Sequence, residues 1–578
     1  MMANLSVRYS RIGLTLALVG AVLLVNSGLR AQEVGSVVTI PQVAKTNELL
    51  AKSWKDNDIT PSDRCSDYEF IRRVTLDIIG RIPTPAEIDK FMKDAPQSRR
   101  GNLIDRLLDS EEYVDNWATL WTTWLLTRSA QGLYRDQMQV WLAEQLSQVE
   151  LTEDGTIQKK KQLTGWDETV YKLLTATGSN NENGAVNYIL QHLGEPTPAP
   201  KVNEEGRFNF VPITARTTRL FLGLQVQCTQ CHDHPFNPEW KQYHFWGMNT
   251  FFRQVDRTGN INMRNNNRMN QAPILGLTDN TSLNPKNMIL FENRKAVVLA
   301  QRAKFLRGQK YDASSGKTRR EMLAELITKD PYFAKAYVNR MWAHFFGRGM
   351  TANGKDIDDF GEHNEVLHPE LLEYLAAEFR KDNHDPRDLV RWICNSDAYS
   401  LSSTANETND KLDAEPFFSR MLLKSMSPEQ LFESLWVSTY AFNKPIDAAD
   451  NARKDLRDRW MGQMVTSFGD DEGNESTFNG TVIQALMLMN GNDINGAINS
   501  KDGPVDHAMK KGSMNAVMDE LFLITLARKP TDAERRQIMD DVKPVLIRGK
   551  PLDRAYWEKV SQDLFWALLN SSEFILNH

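Results

Sequence analysis

Three residues whose side chains can bind a cofactor lie together in the first half of the chain. Cys228, Cys231 and His232 form a Cys-x-x-Cys-His sequence, which uses two of the four cysteines. Thiols at this spacing can form thioether bonds to the two vinyl groups of one haem, and the imidazole that follows can ligate the iron. The pattern predicts a haem c, with Cys228 and Cys231 as attachment points and His232 as an iron ligand.

The same two cysteines also fit a zinc site. Together with His244 they have the spacing of the first three ligands of a finger-like site. Met248 stands where the fourth ligand would be, but His234 can take its place, and two thiolates with two imidazoles are a reasonable zinc ligand set. Zinc is therefore the alternative to haem c, and His232 and His234 are the candidate metal-binding histidines next to the cysteines.

A disulfide between the two cysteines is a further alternative. A thioredoxin-type Cys-x-x-Cys pair is expected in a strand–helix context, whereas residues 214–221, just before the motif, have the apolar periodicity of an amphipathic helix. Cys65 and Cys394 are far apart in the sequence, and each is expected to pack as a small apolar side chain. The sequence therefore favours haem c or zinc over a disulfide.

A haem iron also needs a second axial ligand or an open face. The candidates for that ligand are His344, His363, His368 and Met248. Each of them is more readily explained as an ordinary packed or capping side chain. His234 lies too close to His232 in sequence to reach the opposite face of the haem. We therefore expect it to contact a haem propionate or the iron-ligating His232.

The chain carries no convincing enzyme signature. It has neither a G-x-S-x-G nor an H-E-x-x-H motif, and the carboxylates Asp356, Asp358 and Asp359 are expected on a solvated loop face. A dedicated electron carrier needs about 100 residues around its haem, and this chain has 578. The excess favours a redox enzyme or a scaffold that docks partners, and the question of enzymatic activity is left open.

Helical periodicity dominates the sequence. Apolar residues recur at spacings of three and four around residues 70–78, and Trp117, Trp121 and Trp124 fall on one helix face as a predicted core stripe. We predict a mainly α fold with two helical domains and few short strands. The predicted boundaries are a signal peptide at 1–31, a helical domain with the Cys-x-x-Cys-His sequence at 32–256, a connecting segment rich in Asn and Arg at 257–317, and a second helical domain at 318–578.

The first residues have the pattern of a secretory signal peptide. Arg8 and Arg11 precede an uncharged apolar run at residues 12–25, and Ala31 is a small residue at a plausible cleavage point. The run is shorter than the roughly 20 residues that span a bilayer, and no second run of spanning length follows. We therefore expect a mature chain that begins at Gln32, has no stable membrane span, and is periplasmic or extracellular.

The composition is that of an ordinary soluble globular protein. Charged residues make up 25% and hydrophobic residues 41% of the chain, and the formal net charge is −6. A net acidic chain is a poor candidate for a general nucleic-acid binder. Four cysteines in this length exclude a disulfide-rich scaffold.

Several segments resemble one family of exported proteins. Residues 70–85, 107–113 and 221–236 resemble the planctomycete cytochrome-like domain of unknown function, and residues 338–349, 368–372 and 568–574 resemble its usual C-terminal companion, also of unknown function. The resemblance implies an exported protein whose cofactor site is Cys228, Cys231 and His232. Residues 468–478, which are acidic and lack cysteine, depart from the family pattern, so a function that needs a second cysteine site is not expected here.

The expected function follows from the motif, the leader and the resemblance together. We expect an exported c-type haem-binding protein that takes part in electron transfer or in a redox step of extracytoplasmic catabolism, with an unknown protein as redox partner. The alternative is a haem-free, zinc-binding structural or interaction protein.

Overall fold

A computed structural model gives the fold of this chain. It describes residues 40–128, 130, 132–151, 157–160, 163–259, 274–439, 453, 456–462, 496, 498–546 and 554–578. The predicted signal peptide at 1–31 and the acidic segment at 468–478 lie outside the described residues. Residues Ile40–His578 form one compact unit, and the predicted domain boundaries within it stay predictions.

The described residues are mainly α-helical, which confirms the predicted fold class. The α-helices are α1 Pro41–Asp56, α2 Asp67–Ile79, α3 Pro85–Lys93, α4 Arg99–Leu108, α5 Glu111–Leu126, α6 Gly132–Leu146, α7 Trp166–Thr175, α8 Val186–Gln191, α9 Val202–Glu205, α10 Val211–Leu222, α11 Gln242–Thr250, α12 Arg319–Lys329, α13 Pro331–Phe346, α14 Pro369–Lys381, α15 Pro386–Cys394, α16 Pro428–Thr439, α17 Pro504–Met509, α18 Met514–Leu526, α19 Asp532–Leu546, α20 Arg554–Leu569 and α21 Ser572–Ile575. Short 3₁₀ helices cover Ala199–Lys201, Val226–Gln230, Ala313–Ser315, Ala398–Ser400 and Leu412–Phe417. Across the ranges given above, no helix is both long enough and apolar enough to cross a bilayer.

The strands are short and pair in small antiparallel sheets. They are β1 Val149–Leu151, β2 Ile157–Lys160, β3 Gly178–Ser179, β4 Val255–Thr258, β5 Gly276–Asp279, β6 Met288–Glu292, β7 Val298–Arg302, β8 Lys424–Ser425 and β9 Leu576–Asn577. β1 pairs with β2, β5 lies between β3 and β4, β6 and β7 form a hairpin, and β8 pairs with β9. The described parts of the predicted connecting segment, residues 257–259 and 274–317, therefore consist of short strands, turns, bends and one 3₁₀ helix, and residues 260–273 lie outside the described part of the chain.

The three tryptophans of α5 lie in the core, as the helical spacing predicted. Trp117, Trp121 and Trp124 are each at most 2% exposed. The Trp121 ring lies 4.0 Å from that of Trp166 and stacks at 5.5 Å on Tyr337 of α13, measured between ring centroids. Because Tyr337 belongs to the second predicted domain, one hydrophobic core extends through both predicted domains.

A buried carboxylate on α2 gathers polar partners from distant parts of the sequence. Asp77 is 1% exposed and forms an ion pair with Lys424 of β8 at 2.8 Å. The Tyr399 hydroxyl and the Asn577 amide each donate a hydrogen bond of 2.7 Å to its carboxylate oxygens. We call these four residues the Asp77 cluster. Since a buried charge is tolerated only when it is paired and hydrogen-bonded, the cluster fixes the position of α2 against β8 and β9.

Two buried arginines of α2 bind the same distant segments. Arg72 donates hydrogen bonds to main-chain carbonyls that include that of Phe574, at 2.6 Å. Arg73 donates to the carbonyls of Tyr399 at 2.6 Å and of His578 at 3.1 Å. Both guanidinium groups are almost fully buried, so the early helix α2 and the carboxyl-terminal segment depend on each other for their hydrogen bonds.

Candidate cofactor and metal site

The Cys-x-x-Cys-His segment begins just after α10. The helix is capped by Gly223, whose φ of +63° is in the left-handed region and whose Cβ, if present, would lie 2.6 Å from the Phe360 ring. Both facts require glycine at this turn. Val226 is fully buried, and the 3₁₀ helix that starts there carries Cys228 on its exposed side. The segment is thus anchored at its start and exposed at its first cysteine.

The motif presents two free thiols and one imidazole with a defined tautomer. Cys228 and Cys231 are exposed and free. The Nδ1 atom of His232 lies 2.6 Å from the carbonyl oxygen of Asp233. A carbonyl oxygen only accepts hydrogen bonds, so Nδ1 carries the proton and Nε2 keeps its lone pair. Histidines that ligate metals are commonly oriented by such a bond from the other ring nitrogen, and His232 therefore has the tautomer that ligation through Nε2 requires.

Helix α11 holds the backbone of this turn. The Gln242 side-chain amide and the Trp246 indole each donate a hydrogen bond of 3.1 Å to the carbonyl of Gln230. The Gln242 backbone N–H also donates to the Asp233 carboxylate at 3.0 Å. These bonds connect the residues on both sides of Cys231 to one helix, so the motif has a fixed backbone and exposed side chains.

His234 has the opposite tautomer to His232. Its Nδ1 accepts the backbone N–H of Asn237 at 2.9 Å and that of Phe236 at 3.3 Å. Because an amide N–H only donates, Nδ1 has no proton and the neutral ring carries its proton on Nε2. The Asn237 side chain is itself buried, so the loop that follows the motif is fixed around the His234 ring.

A loop of the second predicted domain reaches the same place. The backbone N–H of Phe360, between α13 and α14, donates to the carbonyl of Gly223 at 2.8 Å. Two residues earlier, Asp358 is 2% exposed and pairs with Arg340 of α13 and, at 3.3 Å, with Arg219 of α10. The loop is therefore connected to the helix that precedes the motif by a main-chain hydrogen bond and by a buried ion pair.

This loop places an aspartate and a histidine beside His234. The Nε2 of His363 lies 2.8 Å from the Oδ2 of Asp359, and its ring centroid is 5.4 Å from that of His234. Each of the three residues offers one ligand atom, and these atoms all lie within 4.8 Å of one another. We call this group the His–Asp–His cluster. It is partly exposed, so an ion could reach it from solvent.

The structure corrects the expectation for the carboxylates of this loop. We expected Asp356, Asp358 and Asp359 on a solvated face, and that is wrong for Asp358, which is buried against Arg340. Asp359 is partly buried and bonded to His363. A run of aspartates in sequence gives no sign of a buried arginine partner or of a histidine partner, so neither role can be predicted from the sequence.

Burial sets the protonation of the histidines near the motif. Burial lowers the pKa of His234, Asp359 raises it, and His363 and His232 lower it again, with a net downward shift. Burial is also the largest cause of the lowered pKa of His244. Both rings are therefore neutral at neutral pH, which is the form that binds metals.

The remaining candidates for a second iron ligand have other roles. His344 donates through Nε2 to the carbonyl of Asp77 at 3.0 Å, and His368 donates to the carbonyl of Pro416 at 2.8 Å. Met248 is fully buried in the core. Of the four candidates, His363 is the one that contacts the ring of His234.

The cysteines do not join a preformed zinc site within the described residues. There, the groups of three or more potential ligand atoms lying within 4.8 Å of one another are the His–Asp–His cluster and the group formed by Asp382, Asp385 and Asp388. Neither group contains Cys228 or Cys231. The Nδ1 of His244 instead accepts the backbone N–H of Lys241 at 3.0 Å. A zinc site that uses Cys228 and Cys231 stays a prediction, and it would require the two thiols and the histidine ligands to move closer together.

The fold and the site define a class of mainly helical protein in which a surface Cys-x-x-Cys-His turn lies close to an Asp–His loop from a later part of the chain. Residues 45–257 match the family described as PSCyt2, protein of unknown function (DUF1549), and residues 319–541 match PSD1, protein of unknown function (DUF1553). The chain belongs to the proteins that carry these two domains in this order, which confirms the resemblance seen in the sequence. No curated protein and no solved structure matches it.

The two matches divide the His–Asp–His cluster between them. His234 lies in the DUF1549 region, whereas Asp359 and His363 lie in the DUF1553 region. The cluster is therefore a point where the two domain families meet.

Proposed function

We propose that this protein is an exported c-type cytochrome that transfers electrons outside the cytoplasm. Cys228 and Cys231 would hold the haem through thioether bonds, and His232 would ligate the iron. The haem, when bound, supplies one-electron redox chemistry.

The observation that carries the proposal is the state of the motif itself. Both thiols are free and exposed, and the hydrogen bond from His232 to the Asp233 carbonyl leaves Nε2 as the nitrogen with a lone pair. Thiols that can react and an imidazole oriented for ligation are the features that a haem c attachment site uses.

The surroundings of the motif fit a large apolar group. Phe236, four residues after His232, is 72% exposed. Because burying an apolar side chain of this size is favourable, a bound group that covers this ring would gain stability. A porphyrin is flat and apolar, so it could cover such a ring. In an exported protein, exposed thiols at this spacing are open to oxidation unless they are bound, which favours a role in which the thiols are used.

Export and an unidentified redox partner complete the proposal. The basic residues Arg8 and Arg11 before the apolar run favour cleavage near Gln32. Mass spectrometry of native material should find a mature N-terminus near Gln32, and an intact Met1 would contradict export by this route. A chain of 578 residues with one such motif has ample surface to dock a partner protein.

A pyridine haemochrome spectrum tests haem attachment directly. The full chain is matured in a host that assembles c-type cytochromes and is then extracted with acidic acetone, which removes haem that is only coordinated. Thioether bonds survive this treatment, so we expect a c-type α-band in the extracted protein. The double variant Cys228→Ala/Cys231→Ala should lose the band, and His232→Ala should keep at most an attached haem with altered coordination.

Two controls separate haem from the alternatives. Cys65→Ala removes a thiol outside the motif, so it should leave the haem spectrum unchanged. The zinc alternative predicts instead a colourless protein that holds one zinc per chain and loses it in the double cysteine variant and in His234→Ala. Colourless wild-type protein from a competent host would refute the haem proposal.

A further inference from the structure

We propose that His234, Asp359 and His363 form a binding site for a divalent transition metal, with zinc as the best fit, and that this site is separate from the cysteines. The metal would connect the loop that follows the Cys-x-x-Cys-His motif to the loop between α13 and α14. This inference does not depend on haem attachment, because it uses neither thiol and does not use His232.

The donor set matches the chemistry of zinc. Two imidazole nitrogens and one carboxylate oxygen are the ligands of many open zinc sites, which keep a fourth position for water or substrate. The three ligand atoms already lie within 4.8 Å of one another. Because metal–ligand bonds are about 2 Å long, ligand atoms around one ion lie roughly 3–4 Å apart, so small side-chain rotations are enough to close the site.

Two of the ligands are held in place by the loop that carries them. The Nε2–H of His363 donates a hydrogen bond of 2.8 Å to the Oδ2 of Asp359, so Nδ1 is the His363 nitrogen that can ligate while this bond persists. The Asn364 side chain donates to the main-chain carbonyl of Asp359 at 3.0 Å. The neighbouring Asp358 is fixed by its buried ion pair with Arg340. A carboxylate and an imidazole that are already positioned lose little conformational entropy when an ion binds.

The third ligand must give up a competing interaction. The Nδ1 lone pair of His234 accepts the backbone N–H of Asn237. Nδ1 can ligate a metal once this hydrogen bond breaks, and Nε2 can do so only after the ring proton moves to Nδ1, which breaks the same hydrogen bond. One amide hydrogen bond contributes far less than the binding of a structural zinc ion. Metal binding is therefore expected to displace this hydrogen bond and to rearrange the turn after His234.

The loop after the motif and the loop between α13 and α14 approach so closely that one added carbon atom would disturb their contact. Gly361 lies between Asp359 and His363, and a Cβ at this position would be 2.7 Å from the Asn237 side-chain nitrogen and 2.8 Å from the His363 ring. Glycine at this position thus permits the contact between the loops that brings the three ligands together.

Zinc binding to the full mature chain tests the site. The protein is stripped with a chelator, dialysed against Zn²⁺ alone, and analysed for bound metal. We expect one zinc per chain, and the same stoichiometry in Cys228→Ala/Cys231→Ala. Asp359→Asn, which keeps the size of the side chain, and His363→Ala should each weaken binding by at least about 100-fold, because removing a ligand costs more than removing a residue that only orients one.

Cobalt provides a spectroscopic check that does not depend on activity. Co²⁺ bound by nitrogen and oxygen ligands should give visible d–d bands without a thiolate-to-cobalt charge-transfer band. The matched controls are Asp356→Asn on the same loop and His507→Ala far along the chain, neither of which belongs to the cluster. Both should bind metal like the wild type, and circular dichroism of each variant confirms that it is folded.

Three results would overturn the inference. These are a wild-type chain that binds no zinc, zinc that is retained when Asp359 or His363 is replaced, and zinc that is lost with the cysteines. The haemochrome spectrum of the same variants keeps the two proposals apart. A protein that binds zinc but has no haem contradicts only the cytochrome proposal, and one that has haem but no zinc contradicts only this site.

Discussion

Replacing Lys424 by methionine would remove the only full positive charge among the described residues of the Asp77 cluster. The ammonium group lies 2.8 Å from a carboxylate that is 1% exposed. Without it, the Asp77 charge keeps two neutral donors, the Tyr399 hydroxyl and the Asn577 amide. Removing one partner of a buried ion pair costs about 3–5 kcal/mol. Since both remaining hydrogen bonds persist, we expect a loss of about 3 kcal/mol in the free energy of unfolding.

Urea unfolding followed by far-UV circular dichroism measures this loss. The matched control is Lys335→Met, because Lys335 pairs with Glu373 on the surface, where their side chains are 26% and 55% exposed. Exposed pairs contribute about 0–1 kcal/mol, so the control should change little. The double variant Asp77→Asn/Lys424→Met removes the unpaired charge and should recover at least half of the loss. A Lys424→Met protein within about 1 kcal/mol of the control, or a double variant no better than the single one, would refute the reasoning.

Three further predictions concern acid stability and the candidate metal site. Burial lowers the pKa of His344 to about 4 from 6.5. As the pH falls from 6.5 to 4, this histidine is protonated in the unfolded chain before it is protonated in the folded one, so the free energy of unfolding falls by about 3 kcal/mol. His344→Gln should flatten the fall in melting temperature between pH 6.5 and 4, and an unchanged slope would contradict this. Burial raises the pKa of Glu429, but Arg128 outweighs it and lowers the pKa to about 2 from 4.5, so this stabilisation is present above pH 4.5 and is lost as the pH falls towards 2. Arg128→Met should abolish it and lower the melting temperature at pH 7, whereas an unaltered acid profile would show that the pair is unimportant. Gly361→Ala should weaken zinc binding without removing a ligand, because its Cβ would overlap the buried Asn237 amide; wild-type affinity in calorimetry would show that the two loops can separate freely.

Local patterns in the sequence predicted the features that depend on neighbouring residues. The helical fold and the buried stripe of Trp117, Trp121 and Trp124 both follow from spacings of three or four residues, and both are found. The Cys-x-x-Cys-His motif was visible for the same reason. Such features need no knowledge of which distant segments pack together.

The features that the sequence did not reveal depend on long-range contacts. His234 meets Asp359 and His363 only because Gly223 and Phe360 bring their two loops together. The partners of Asp77 likewise come from three separate later segments. His234, Asp359 and His363 can each be singled out in the sequence, but their proximity cannot be predicted from it. The residues of the Asp77 cluster resemble ordinary side chains there, because the partner that gives each of them its role is supplied by the tertiary structure.

The contacts of α2 have a consequence for how the chain is made. Arg72 is synthesised 502 positions before Phe574, and Asp77 is synthesised 500 positions before Asn577, yet each pair is joined by a hydrogen bond. Until the later residue of each pair is synthesised, the helix carries charges that cannot be buried without a large penalty. A partly synthesised or prematurely terminated chain therefore cannot complete its core around α2, and it keeps polar groups exposed that proteases and chaperones can recognise. Folding around α2 is thus expected to be nearly all-or-none, with synthesis of the segment around Phe574 and Asn577 as the step that permits its final packing.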